Sequence, residues 1–275
     1  MKRHSTQETD RTRDDKPISA PADAGAESAM SLGEHLSELR TRVLRSVIGV
    51  IICFIGIFSF APYIRGVMEA TLKTALPSGG LIAFSDITEP FMVDMHLAFV
   101  LAFFVASPYV FYQIWAFIAP GLYDSERKYV VPIAFCSALF FIAGGTFCYL
   151  VVIPFTYTFF IGYGSGGATP VITLANMYRY ALKLMLAFGV MFEMPLFSFF
   201  LAKLGIVTAA RLRAWRKYAI LVNFIIAALI TPPDVLSQLL LAGPLVLLYE
   251  ISILVAGFAG KDSGKAGNTS SVSST

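Results

Sequence analysis

Long apolar runs separated by short polar breaks dominate this chain of 275 residues. A transmembrane helix needs roughly 20 mainly apolar residues, and the first four runs meet that requirement. The last two runs are expected to form short spans, and Pro232-Pro233 separates them because proline lacks a backbone donor and restricts the preceding residue. The pattern predicts an all-α integral membrane protein with six transmembrane helices, the last two spans being short. The runs lie near residues 46–63, 97–118, 129–161, 180–202, 218–231 and 236–257.

A narrower apolar stripe precedes the first run, at the three- and four-residue steps of one helix face. Ser31 and Glu34 have the spacing of a capping box, which predicts that a helix begins there. We expect this helix to lie along the membrane interface and to run into the first span. The stripe consists of Leu32, Leu36, Leu39, Val43 and Val47.

Basic residues are distributed unevenly between the two sides of a six-span arrangement. The N-terminal segment, the loop after the second span, the segment before the fifth span and the C-terminal tail hold 8, 2, 5 and 2 of the 21 Lys and Arg residues. Only 4 fall on the opposite side. Because basic residues accumulate on the cytoplasmic side, both termini are predicted to be cytoplasmic.

Composition agrees with this class, since 56% of residues are hydrophobic, 14% are charged and the mean hydropathy is +0.70. Membrane lipid is therefore an expected partner, and no nucleic-acid partner is implied. Residues 1–30 and 259–275 are polar and low in apolar content, which predicts two disordered cytoplasmic tails. The membrane domain is expected to span residues 31–258.

Catalytic and metal-binding patterns do not appear in the sequence. Cys53, Cys136 and Cys148 lie in apolar runs without paired spacing, which favours packing over disulfides or metal ligation. Neither a nucleophile-and-base set nor a phosphate-binding loop is present. We expect no enzyme activity, no cofactor and no metal.

Two polar constellations flank the apolar runs. The first is the HLxELR element at His35 to Arg40, and the second runs from Tyr112 to Tyr123 and continues into Glu126-Arg127. Each constellation also has a purely structural explanation. Glu38 precedes Arg42 by four residues, which is the favourable order for an ion pair on a helix surface. Tyr and Trp side chains are typical of a membrane interface, and Glu126 would be stabilised at the start of the third helix.

Taken together, these elements closely resemble the TatC family, the polytopic subunit of the twin-arginine protein translocase, from about Glu34 to Glu250. The match includes HLxELR, YQxWxFxxPgL at Tyr112 to Leu122, Phe192-Glu193-x-Pro195 and Thr231-Pro232-Pro233-Asp234 with Gln238. The resemblance implies a receptor for signal peptides with two consecutive arginines, in an inner-membrane complex that exports folded proteins. It also implies a concave bundle, an oligomeric complex with TatA-type and TatB-type single-span subunits, and use of the proton motive force.

The resemblance assigns the cargo arginines to Glu38 and Glu126. An arginine fork is met bidentately by a carboxylate, so the chemistry agrees with that assignment. Arg40 and Arg127 are expected to orient these acids, because they share the sign of the cargo. The matched motifs place three further residues in the same signal-peptide site: His35, Leu39 and Phe117.

A second polar site is expected inside the membrane. An ionisable group in a span is costly and usually faces a wet cavity or a partner, and Glu193 is such a group. Lys183 is too far along the same helix to pair with it. The resemblance suggests that Glu193, Asp234 and Gln238 contact the signal peptide or a partner helix, although Asp234 and Gln238 also fit helix capping after the prolines.

A small-solute secondary transporter is the alternative from another class, supported by Glu193, Lys183 and the proline-broken helices. It predicts inverted repeats. The first three and last three runs show no similarity, and the tightest motifs lie at the predicted cytoplasmic surface.

Overall fold

The computed structural model describes residues 32–73, 81–119, 130–164, 171–231 and 235–266. In these ranges the chain forms nine α-helices, one π-helical turn and two three-residue strands. The helices are α1 Leu32–Phe58, α2 Ala61–Lys73, α3 Glu89–Ile118, α4 Val130–Phe147, α5 Ile153–Gly164, α6 Leu174–Lys203, α7 Ala209–Ala214, α8 Arg216–Ile230 and α9 Val235–Ala266. The π-helical turn Cys148–Val152 joins α4 to α5, and the strands are β1 Leu81–Ala83 and β2 Val171–Thr173.

Five helices in the described ranges are long and apolar enough to cross a membrane. The remaining predicted span, the fifth, is α8, whose 15 residues cover about 22 Å against a hydrocarbon core of about 30 Å. The prediction of a short fifth span is therefore confirmed. The sixth span was also expected to be short, but its apolar part of 21 residues covers about 32 Å and lies within the 32 residues of α9, so this helix is long enough to cross the core. The five spans are Gly33–Phe58, Glu89–Ile118, Val130–Tyr163, Leu174–Lys203 and Gln238–Phe258.

The ends of the predicted membrane domain are only partly visible. The predicted tail 1–30 lies outside the described residues, and so does Ser31 of the capping box. Helix α1 is continuous from Leu32 into the first span, as the apolar stripe predicts. At the other end, α9 continues to Ala266, past residue 258, where the second tail was expected to begin.

The core of the bundle is centred on α3, α4 and α6, and residues of α9 and of the π-helical turn also belong to it. A Cβ on Gly144 would lie 2.6 Å from the Phe188 carbonyl oxygen, and one on Gly189 would lie 2.8 Å from the ring of Phe141. Small residues let helix backbones approach closely in membranes, where lipid removes the hydrophobic drive for association. These glycines therefore explain why α4 and α6 pack so tightly.

One end of the bundle is closed by an aromatic cluster, which we call the Trp115 end. Here α1 begins, α3 and α6 end, and α4 starts. The cluster consists of Trp115, Ala119, Val130, Ala134 and Phe200.

The opposite end, called the Glu89 end, carries α2 and the parallel pair of β1 and β2. Glu89 accepts hydrogen bonds from the backbone N–H groups of Ser85 and Ala175, both at 2.6 Å. Arg65 of α2 donates to Asp94 at 2.7 Å and to Glu69 at 3.0 Å. Burial favours the neutral form of Arg65, but these hydrogen bonds and charges outweigh it and raise the pKa of the guanidinium above its ordinary value.

Candidate functional site

The start of α1 is held against the end of α3 by two stacked rings. His35 and Phe117 have ring centroids 4.4 Å apart and an interplanar angle of 24°. Offset stacking of this kind stabilises the contact beyond its buried area. The stack places two elements that are far apart in sequence, HLxELR and YQxWxF, in one site.

Glu38 lies one turn beyond His35 and pairs with Arg42. Nε and Nη2 of Arg42 both donate to Oε1 of Glu38, at 2.8 and 2.5 Å. The third nitrogen of Arg42, Nη1, lies 3.5 Å from Oε1 of Gln113 on α3. Oε2 of Glu38 is buried and has no hydrogen-bond partner among the described residues. The carboxylate is therefore only half satisfied.

Arg42 separates two hollows of different character. The polar hollow, about 410 Å³, is lined by Glu34, Ser37, Glu38, Thr41, Arg42 and Arg45. The apolar hollow, about 300 Å³, is lined by Leu39, Val43, Val47, Val110, Ile114 and Phe117, together with Arg42, Ser46 and Gln113. A charged group and an apolar group on one ligand could occupy the two hollows together.

Arg40 does not have the position that was expected of it. It is exposed and makes no ion pair with a described residue, whereas Arg42 holds Glu38. Residues four apart share a helix face and residues two apart do not. Among the described residues Glu38 is therefore paired with Arg42 and not with Arg40.

The other predicted residues of this site, Glu126 and Arg127, lie outside the described residues. Gln113 and Arg42 were not among the predicted site residues. Their signals were present, since Gln113 lies in the YQxWxF element and Arg42 follows Glu38 by four residues.

Glu193 lies deeper, in α6, beside a buried hydrogen bond. The indole N–H of Trp115 donates to the Ser137 hydroxyl at 2.9 Å, and the Ser137 side chain and the Phe141 backbone face the Glu193 carboxyl. Oε1 of Glu193 is buried without a partner among the described residues. Because Ser137 accepts from Trp115, its own proton remains available to the carboxyl. Nothing in the sequence pattern singled out Ser137.

The short helix α8 is attached to both neighbouring spans. Lys183 donates to the carbonyl of Leu229 in its last turn at 2.7 Å, where a cation favours the helix dipole. Gln238 donates to the carbonyl of Phe224 at 2.9 Å, which replaces the capping role considered for it. Arg216 and Glu250 form a bidentate pair at 2.7 and 2.8 Å near the start of α8. Asp234 lies outside the described residues.

Comparison with known proteins adds an independent line of support. Residues 34–244 match the family model described as Sec-independent protein translocase protein (TatC). The chain is 42% identical to the TatC protein of Helicobacter pylori over 225 residues, covering 82% of this chain and 88% of that protein. It is 41% identical to the TatC protein of Koribacter versatilis over 248 residues, covering 88% and 90%.

Solved structures agree in fold. A crystal structure of a twin-arginine translocase receptor, TatC, matches with a TM-score of 0.75 and 37% identity, covering 82% of this chain and 99% of that one. A second, of the same receptor in the detergent DDM, matches with a TM-score of 0.74 and 36% identity, covering 81% and 99%.

The chain belongs to the TatC family.

Membership in the TatC family confirms the resemblance found in the sequence and the six-span helical class. The chain is thus a multi-pass membrane protein of the Sec-independent translocase, a transport component and not an enzyme. The small-solute transporter is not favoured. The matched range includes every predicted site residue, among them Glu126, Arg127 and Asp234, which the structure does not describe.

Proposed function

We propose that this TatC-family protein is the receptor for twin-arginine signal peptides, and that Glu38 and Glu126 bind the arginine pair. The observation that supports it best is the half-satisfied carboxylate of Glu38 at the Trp115 end. A buried acceptor without a donor is unfavourable by about 1–3 kcal/mol, so the site gains when a guanidinium fork supplies the missing bond.

The surroundings of Glu38 fit an extended peptide. The polar hollow can take the arginines, and the apolar hollow next to it can take an apolar side chain of the same segment. His35, Leu39 and Phe117 form the wall between helices α1 and α3. Arg40 and Arg127 belong to the proposed site as the basic members of its two motifs.

The cellular setting is part of the proposal. The uneven distribution of Lys and Arg supports an inner-membrane protein with both termini cytoplasmic, which places Glu38 where newly made cargo arrives. TatA-type and TatB-type single-span subunits are the proposed partners in an oligomeric complex that uses the proton motive force to export folded proteins.

Glu193 is the proposed contact for a partner helix or for the apolar part of the signal peptide. A buried carboxyl oxygen inside a span, without a hydrogen-bond partner in the part of the chain that the structure describes, supports this role. Asp234 and Gln238 are proposed to support the same face from the α8–α9 side, where Gln238 already joins the two helices.

Site-specific photocrosslinking tests the receptor role. A crosslinker placed at Thr41, which lines the polar hollow beside Glu38, should capture a signal peptide with Arg-Arg and not one with Lys-Lys. Glu38→Gln should abolish the crosslink, while Asp86→Asn, which removes an exposed carboxylate at the Glu89 end, should keep it. Equal crosslinks with both peptides, or an unchanged crosslink in Glu38→Gln, would exclude the proposal.

The Glu193 role needs a separate experiment. Glu193→Ala should weaken copurification of single-span subunits and transport, yet leave the Arg-Arg crosslink at Thr41 unchanged. Normal transport by that variant would remove the role.

A further inference from the structure

We infer that Arg42 is a resident competitor for the arginine site, which occupies Glu38 until a cargo arginine displaces it towards Gln113. The inference rests on the receptor function proposed for Glu38. It adds two residues, Arg42 and Gln113, that set how tightly a signal peptide binds.

Arg42 presents to Glu38 the same chemical group that the cargo would bring. Two of its guanidinium nitrogens donate to Oε1 at 2.8 and 2.5 Å. A peptide arginine needs that oxygen for a bidentate contact, because the fork of a guanidinium matches the two oxygens of one carboxylate. The two arginines therefore compete for one acceptor.

The peptide has to replace Arg42 and cannot simply join it. Oε2 of Glu38 is buried, so no incoming guanidinium reaches it while the present packing persists. Once the pair opens, a peptide arginine can engage Oε1 and Oε2 together and give Oε2 a hydrogen bond that no described residue provides. Arg42, which bonds only to Oε1, does not provide it. This difference favours exchange when the correct peptide arrives.

Gln113 offers Arg42 a second position. Its Oε1 is already 3.5 Å from Nη1 of Arg42, and the residue is 5% exposed on α3. The apolar hollow beside it is lined by both residues and has room for the aliphatic stem of an arginine. A small rotation of the side chain would thus exchange a long contact with Gln113 for a full hydrogen bond.

A role of Arg42 as competitor and a role in orienting Glu38 predict opposite changes in peptide affinity when Arg42 is removed. An internal competitor weakens the binding of every peptide by the same factor, because the competent state is only fractionally populated. Removing it tightens binding of Arg-Arg and Lys-Lys peptides alike and leaves their ratio unchanged. If Arg42 instead oriented Glu38, its loss would weaken Arg-Arg binding and lower the ratio.

The experiment measures equilibrium binding of a fluorescent signal peptide to the full-length chain, together with its single-span partners, in lipid nanodiscs. Arg42→Gln should bind Arg-Arg and Lys-Lys peptides about fivefold more tightly, the factor expected when a partly buried ion pair no longer competes. Arg45→Gln is the matched control, since it removes the same charge from the same hollow and pairs with no described acid. The increase in affinity should be smaller in Arg45→Gln than in Arg42→Gln, and it measures the general electrostatic effect of removing one positive charge.

Gln113→Leu provides a second, independent measurement. It should weaken Arg-Arg binding when Arg42 is present, because the displaced guanidinium loses its acceptor. It should have no effect in the Arg42→Gln background. A residue with a merely structural role would act equally in both backgrounds.

The outcomes separate this inference from the proposed function. If Glu38→Gln abolishes Arg-Arg binding but Arg42→Gln weakens it or leaves it unchanged, the competitor role is excluded and the receptor function stands. If Glu38→Gln changes nothing, the receptor function fails, whatever Arg42 does. Should Arg42→Gln fail to insert, Arg42→Lys tests the same direction, because an ammonium holds a carboxylate less firmly than a guanidinium fork.

Discussion

Two glutamates at opposite ends of the bundle have contrasting environments. Glu89 is 7% exposed, and each of its carboxyl oxygens accepts a backbone N–H at 2.6 Å. Glu38 has a 20% exposed side chain, one oxygen paired with Arg42 and the other buried without a described partner. Both oxygens of Glu89 therefore have hydrogen-bond partners within the fold, whereas one oxygen of Glu38 has none among the described residues.

This difference in hydrogen bonding distinguishes an acid that stabilises the fold from acids that can bind a ligand. Glu89 joins Ser85, two residues after β1, to the first turn of α6, where a negative charge also favours the helix dipole. Each of its two oxygens already has a backbone donor, so neither depends on a ligand for a hydrogen bond. Glu38 and Glu193 each keep one buried oxygen free of described partners, and both were assigned to binding.

The largest stability effect is expected at the Glu89 end. Glu89→Ala leaves the partly buried N–H of Ala175 without an acceptor and removes the cap of α6, which together should lower the free energy of unfolding by about 2 kcal/mol. Thermal unfolding in detergent measures this, with the exposed neighbour Asp86→Asn as control. The protein that remains folded should keep its preference for Arg-Arg over Lys-Lys. If Glu89→Ala instead lost the preference for Arg-Arg and kept its stability, Glu89 would be a ligand-binding acid and not a structural one.

A smaller effect is expected for Ser137→Ala, which removes the acceptor of the buried Trp115 N–H. The cost should be about 1–2 kcal/mol, since an unsatisfied buried donor loses its full desolvation penalty. Ser252→Ala is a matched control, because Ser252 is also fully buried but donates only to Leu248 of its own helix. Equal destabilisation by the two variants would mean that the Trp115–Ser137 bond adds nothing special to the site around Glu193.

Tyr178→Phe should cost about 1 kcal/mol, the usual net value of one hydrogen bond. The Tyr178 hydroxyl donates to the Arg65 carbonyl at 2.8 Å, which connects α6 to α2 at the Glu89 end. The exposed Tyr63→Phe is the comparison for unfolding measurements. A neutral Tyr178→Phe would show that the Glu89 end depends on its ion pairs and not on this bond.

The smallest stability effect should come from the proposed ligand site. Glu38→Gln removes a partly buried ion pair worth at most about 1 kcal/mol and also removes the half-satisfied charge, so the net change should stay below about 1 kcal/mol. Chemical unfolding of the same preparation used for binding measures it. A loss as large as that of Glu89→Ala would make Glu38 a structural acid.

The fold was predictable from the sequence where one physical rule dominates. Apolar run length predicted the spans, and the prolines at 232 and 233 separated the last two. The full length of α9 could not be predicted, because its polar end beyond Phe258 carries no apolar signal.

The site was predictable only in part. The motifs indicated Glu38, His35 and Phe117, and the structure brings all three together. The roles of Gln113 and Ser137 depend on contacts between different helices, which residue spacing along one helix does not reveal. Arg42 shows the opposite case, since its four-residue spacing from Glu38 predicted the pair but not its relation to a ligand.

Whether Glu38 accepts a cargo arginine can be measured by a double-mutant cycle between this acid and the arginine pair of the peptide. Binding of Arg-Arg and Lys-Lys signal peptides would be measured for the wild-type chain and for Glu38→Gln in nanodiscs. We expect the wild type to bind Arg-Arg much more tightly than Lys-Lys. In Glu38→Gln the discrimination should collapse, because losing one partner of a charged hydrogen bond costs about 2–5 kcal/mol. An unchanged ratio of affinities in Glu38→Gln would mean that Glu38 does not accept the cargo arginine.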